Sequence, residues 1–283
     1  MPSKQLDQEY ANIMKNHPYG IALYRPLPHS IFKPGACGYF DDFGTWNPIA
    51  HLESDETVLS KRGLKAIEDE VEKAPIEDGI RWGPMTSSNV RSRKIQLSGG
   101  VYVSLESVTR CFQLTRNIIF RDPMIGIPVG VSTVFSYSVD KDVGALLLTK
   151  APIVHEHYYH MSPFKNWCRA NSFAILSRWP EVKTHGLWIV TSVYTTKKCA
   201  INMWSAHGKT IEVGFSADAT GIGSIGPSGE WSRSRTDEGW GEYMAKVCIM
   251  NAQSLSIFLL KVGSRTTTHS SFFSVVLNSN IHG

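Results

Sequence analysis

The stretch 131–139, VSTVFSYSV, sets Val131, Thr133, Phe135, Tyr137 and Val139 on one side of an extended chain, with Ser132, Val134, Ser136 and Ser138 on the other. Successive side chains of a strand point to opposite faces of its sheet, so this stretch predicts a strand with one apolar face. Segment 187–203 carries the alternation further, through Leu187, Ile189, Val193, Cys199, Ile201 and Met203, with Lys197 and Lys198 marking a bend midway. Ile211, Val213 and Phe215 repeat it, and 101–119, 255–262 and 272–277 are further strand candidates.

Helix signals are few. Ser162-Pro163 reads as an N-cap followed by proline at the first helical position. Phe164, Trp167, Ala174, Ile175 and Trp179 then recur near one face until Pro180 stops the run. Residues 5–15 space Leu6, Tyr10, Ile13 and Met14 as a short amphipathic helix, and 64–73 predicts a small helix or a solvated loop. The Pro/Gly-rich segment after residue 16 predicts short strands joined by tight turns. Together these predict an α+β fold: a single domain with a long twisted antiparallel sheet and a few packed helices.

Composition narrows the function classes. With 42% hydrophobic residues among 283, a sizeable core is possible, while 19% charged residues lies below the roughly 25% of an ordinary domain. A net charge of +4 is too weak to argue for nucleic acid. The five cysteines form no C-x-x-C pair and their odd number argues against a secreted disulfide frame. The N-terminus is polar and the apolar runs fall short of a spanning helix. A cytoplasmic protein is expected.

Two motifs invite a chemical reading. In IVHEHYYHMS, 153–162, the H-E-x-x-H spacing fails because Tyr159 stands where the second histidine is needed. Placed on a connection between strand and helix, His155 and His157 share a face with Glu156 opposite, and a third metal ligand has to come from His160 or elsewhere. GIGSIG, 221–226, matches G-x-G-x-x-G, but the following PSGEWSRSR has no helical period. No hydrolase elbow, phosphate loop or kinase set occurs. The expectation is no enzyme, no cofactor, no metal and no catalytic residue.

Arg91, Arg93 and Lys94, with Lys197 and Lys198, border apolar-faced strands. Positive rims of this kind suit an anionic membrane surface, where each basic residue adds roughly 1 kcal/mol. They are the candidate lipid-binding residues.

The segment GLWIVTSVYTTKKCAINMWSAHGKTIEVGFSADATGIGSIGPSGEWSRSR, 186–235, resembles the second half of gasdermin pore-forming domains. There a strand matching Leu187, Trp188, Ile189, Val190, Thr191 and Val193 is followed by a polar alternating strand, a Gly-rich segment and a Ser-rich stretch. SLSIFLLKVG, 254–263, resembles the late strand of those domains, and 131–148 the long strand that leads into a connecting helix. The layout is similar to compact fungal gasdermin-like cell-death proteins. It covers roughly 90–263, and the first 80 residues depart from it.

The resemblance implies a pore-forming domain over 1–263. The protein would rest in the cytoplasm, bind acidic membrane lipids, homo-oligomerise, and permeabilise the membrane in regulated cell death as a β-barrel, after an activating protease. Residues 264–283 then read as a short C-terminal segment, with Phe272, Phe273, Val275 and Leu277 as an inhibitory cover. Two other readings stay open: a non-enzymatic protein-interaction module, and a metal-dependent hydrolase using His155, His157 and His160.

Overall fold

The computed structural model describes residues 3–96, 131–139, 143–205, 210–216, 231–233, 240–254, 256–259 and 275–278. In chain order the elements are α1 (Ser3–Ile13), β1 (Ile21–Pro28), β2 (Ala36–Phe40), β3 (Trp46–His51), α2 (Glu56–Lys61), β4 (Glu77–Ile80), β5 (Met85–Thr86), β6 (Val90–Gln96), β7 (Val131–Val139) and β8 (Val143–Thr149). There follow β9 (Ile153–His157), α3 (Ser162–Arg178), α4 (Val182–His185), β10 (Trp188–Ser205), β11 (Thr210–Ser216), β12 (Trp231–Arg233), β13 (Gly241–Ser254), β14 (Ser256–Leu259) and β15 (Val275–Asn278). The fold is α+β, and every strand pair with a given register is antiparallel. Among the described residues no helix is long and apolar enough to cross a membrane.

The chain divides into two compact units within this domain. The first comprises 1–80, 152–198 and 243–283; the second comprises 81–151 and 199–242. The 18-residue strand β10 contributes to both.

In the first unit, β10 pairs with β2 through Trp188↔Gly38 and Ile189↔Cys37, and with β9 from Ser192↔His157 to Thr195↔Val154. Strand β3 adds to β2, β4 adds to β9, and β1 pairs with β13. Helix α3 buries Phe164, Trp167, Cys168 and Ile175 in one cluster with Leu52, Leu59, Leu64, Leu187 and Ile189. Fully burying each large apolar side chain contributes roughly 1.5–3 kcal/mol, so this cluster stabilises the unit strongly, as does a second one around Phe32, Trp46, Val190 and Val193. The buried Asn171 is fully engaged: its Oδ1 accepts the Lys65 amide at 2.7 Å, and its Nδ2 donates to the Trp167 carbonyl at 3.0 Å.

In the second unit, β10 pairs with β8 residue for residue from Cys199↔Thr149 to Ser205↔Val143, and β5 pairs with β8. A four-stranded sheet runs β12-β11-β7-β6. Its core joins Tyr137 and Val139 of β7, Ile211 and Val213 of β11, Leu146 and Leu148 of β8, and Ala200 and Trp204 of β10. Trp204 lies over Gly144, its cross-strand partner. A Cβ there would come 3.0 Å from the indole and 2.3 Å from Val139 Cγ2, so only glycine fits. On the same face of β10, between Ala200 and Trp204, stands Asn202, fully buried opposite Leu146. Neither its amide oxygen nor its nitrogen has a hydrogen-bond partner among the described residues.

The bend expected at Lys197-Lys198 is a pairing irregularity rather than a break. Four steps along β10, Thr195 to Cys199, face five steps from Thr149 to Val154, the count of a β-bulge. Thr196 Oγ1 donates to the Lys198 carbonyl at 3.1 Å and accepts its amide at 3.4 Å. The unit boundary at residues 198/199 falls at this point.

Other expectations are refined or corrected. Of the two readings of 64–73, a small helix or a solvated loop, the loop is what forms, its ends held where Asn171 accepts Lys65 N and the His157 carbonyl accepts Ala74 N; the short helix α2 lies earlier. Ser162 is the first residue of α3 rather than its cap; Met161 is the N-cap and makes no side-chain capping bond. The late strand expected over 255–262 is present as β14, Ser256–Leu259, and a further, unexpected strand, β13, precedes it from Gly241. The histidines expected on a connection lie instead inside β9 as far as His157.

Candidate functional site

The four-stranded sheet has two chemically different faces. Directly paired residues share a face, so Tyr137 and Phe135 align with Ile211 and Val213, and Val139 with Val90. The other face aligns Arg91 and Arg93 with Ser138 and Ser136, and these with Thr210 and Glu212. The alternation of VSTVFSYSV continues on β11, while on β6 Val90 is followed on the same face by Ser92 and Lys94. Val134, buried and paired with Ile95 of β6, departs from the alternation on the polar side.

Arg91, Arg93 and Lys94 are all exposed on β6, but they do not act as one cluster: Lys94 pairs with Phe135 on the apolar face. Lys197 is exposed and Lys198 partly buried on β10, opposite the extra residue between Thr149 and Val154. These two belong to the first unit, and the β6 residues to the second. Phe272 and Phe273 lie outside the described residues. Val275 and Leu277 lie in β15, whose backbone pairs them with Leu259 and Ile257 of β14.

The second constellation is built on β9. His155 is buried, with Nδ1 3.0 Å from Glu77 Oε2 and Nε2 2.8 Å from Ser192 Oγ. Its ring stacks between His157, at 4.4 Å and 11°, and Tyr194, at 4.1 Å and 5°. His157 Nδ1 is buried with no hydrogen-bond partner among the described residues. The hydrogen bond from His155 holds the Glu77 carboxyl below its usual range, and burial, with His155 adding, pulls the His157 imidazole down.

Glu156 is on the opposite side, as expected, accepting from Lys246 Nζ at 2.9 Å and lying 2.9 Å from His29 Nε2. Burial pushes its carboxyl up, but the Lys246 hydrogen bond and the His29 charge outweigh this and leave it lowered. His160 is exposed and stands outside the cluster; the third group beside His155 and His157 is Glu77. Sequence reasoning missed Glu77 because EDGI, 77–80, has no periodicity, and only the pairing Glu77↔His155 brings it here.

No protein-family model matches the chain, and no curated protein does. Among solved structures it is similar to that of a bacterial gasdermin from Bradyrhizobium tropiciagri. The identity is 14%, 84% of this chain and 82% of that chain are covered, and the TM-score is 0.28.

Proposed function

We propose that the chain is a membrane pore-forming protein of gasdermin type that binds acidic lipid, oligomerises, and crosses the bilayer with strands of its four-stranded sheet. The observation that carries this is the two-faced sheet. A spanning barrel must satisfy every backbone group between strands and alternate lipid-facing with lumen-facing side chains. Here Phe135, Tyr137, Val139, Ile211 and Val213 supply an apolar face, and Arg91, Arg93, Ser136, Ser138 and Thr210 a polar one.

Strand lengths fit the same reading. The nine residues of β7 and seven of β6 and β11 approach the roughly 9–11 of a tilted crossing strand. Strands β6 and β12 end the described sheet, and end strands are where further copies pair. In the resting protein the apolar face packs into the core of the second unit. The unpartnered Asn202 amide costs that packing about 1–3 kcal/mol, which favours its release. Lys197 and the β6 cations make first contact with anionic headgroups, bringing the protein from the cytoplasm to the membrane. The segment 264–283 acts as a removable cover, cut free by a protease.

The test is dye release from vesicles rich in phosphatidylserine, before and after limited proteolysis. Leakage that falls when acidic lipid is omitted, and when Lys197→Glu and Lys198→Glu are combined, is expected. No leakage from any form of the protein overturns the proposal.

A further inference from the structure

We infer that Glu77, His155 and His157 form a binding site for one zinc-like divalent cation, which clips β4 to β9. The ligand atoms of the three side chains already lie within 4.8 Å of one another. Zinc bonds of about 2.0–2.2 Å to nitrogen and oxygen set tetrahedral ligands roughly 3.4 Å apart. The Glu77 Oε2 to His155 Nδ1 distance, 3.0 Å, therefore needs only a small opening, while the His157 ring has to turn out of its stack on His155 to bring a nitrogen lone pair to the same point.

The chemistry is equally specific. Two imidazoles and one carboxylate suit zinc and its first-row neighbours, whereas magnesium and calcium take oxygen. With a cation bound at Nδ1, the His155 proton sits on Nε2 and donates to Ser192 Oγ, 2.8 Å away. An outer partner of this kind orients most metal-binding histidines. The proton now shared between Nδ1 and Glu77 is what the cation displaces. His157 Nδ1, buried and unpartnered among the described residues, faces a cost that ligation removes. The Glu77 side chain is 56% exposed, so the site opens to solvent, and a water completes the fourth position.

All three ligands belong to the first unit, and Glu77 lies just before its boundary at residues 80/81. The inference stands apart from pore formation: it needs no membrane, and its test uses none.

The test is zinc binding by the tag-free full chain after metal stripping, read by elemental analysis and by calorimetry. One zinc per chain is expected, with cobalt giving the visible absorption of a tetrahedral site. Affinity should fall as pH drops from 7 to 5.5, because protons compete for the imidazoles. Glu77→Gln and His157→Ala should each weaken binding at least about tenfold, as Ser192→Ala should by about tenfold, while His160→Ala leaves it unchanged. Glu77→Gln replaces an exposed carboxylate and carries the test if His157→Ala fails to fold. Absence of saturable binding, parental affinity in Glu77→Gln, or loss of binding in His160→Ala overturns the site.

Discussion

Asn171 and Asn202 are both buried to 1% exposure or less, yet they mark opposite kinds of core. In the first unit Asn171 ties α3 to the loop at Lys65, and Trp167 Nε1 donates to the Lys65 carbonyl at 2.7 Å beside it. In the second unit Asn202 sits among Ala200, Trp204 and Leu146 with both amide atoms unpaired among the described residues. A satisfied polar group fixes one arrangement of a core, and an unsatisfied one weighs against the arrangement it is in. The two asparagines thus weigh in opposite directions on the packing that each sits in.

The largest test of this contrast is Asn171→Ala. It orphans the Lys65 amide and removes the link to α3, at a cost of about 2–4 kcal/mol. Denaturant unfolding should show the loss, and a cost below about 1 kcal/mol would break the comparison. Next comes Asn202→Val, which replaces an unpaired amide by a branched apolar side chain suited to a strand. It should stabilise the soluble protein by about 1–2 kcal/mol and slow vesicle leakage. A destabilised Asn202→Val protein would mean the amide is paired after all.

The smallest effect is acid sensitivity. Burial lowers the imidazoles of His29, His51 and His157, all in the first unit. A histidine whose folded pKa lies below its unfolded value of about 6.5 binds protons more readily when unfolded. Its contribution is complete above that pH and is lost as pH falls through the folded pKa. The described residues of the second unit hold no histidine. Hydrogen exchange at pH 5.5 and 7.5, corrected for intrinsic rates, should therefore show protection falling first around β4, β9 and β3. Equal losses in β7 and β11 would blur the two units together.

What the sequence made legible follows the strength of local patterning. VSTVFSYSV and TIEVGFS declare their strands because apolar and polar residues alternate along most of their length, with Thr133 and Val134 as exceptions. Ser162-Pro163 and Pro180 bracket α3 to within two residues because proline acts locally. Strand β13 was hidden: GEYMAKVCIMNAQS opens with charged residues and then buries Val247, Cys248 and Ile249 in succession, which breaks the period of two. The histidine face was legible, and its carboxylate was not, because Glu77 and His155 are 78 residues apart and meet only through tertiary pairing.

The cysteines have a further consequence. Cys37, Cys168 and Cys248 are buried in the first unit and Cys199 in the second. Burial pushes all four thiols up, Cys168 and Cys199 to about 12. Only a thiolate reacts with an alkylating reagent, so each of these sulfurs stays silent until its surroundings come apart. The chain thus carries built-in time stamps. Iodoacetamide pulses on vesicles, read peptide by peptide, would date the opening of Cys199 against that of Cys168 in the same molecules, with no engineered cysteine.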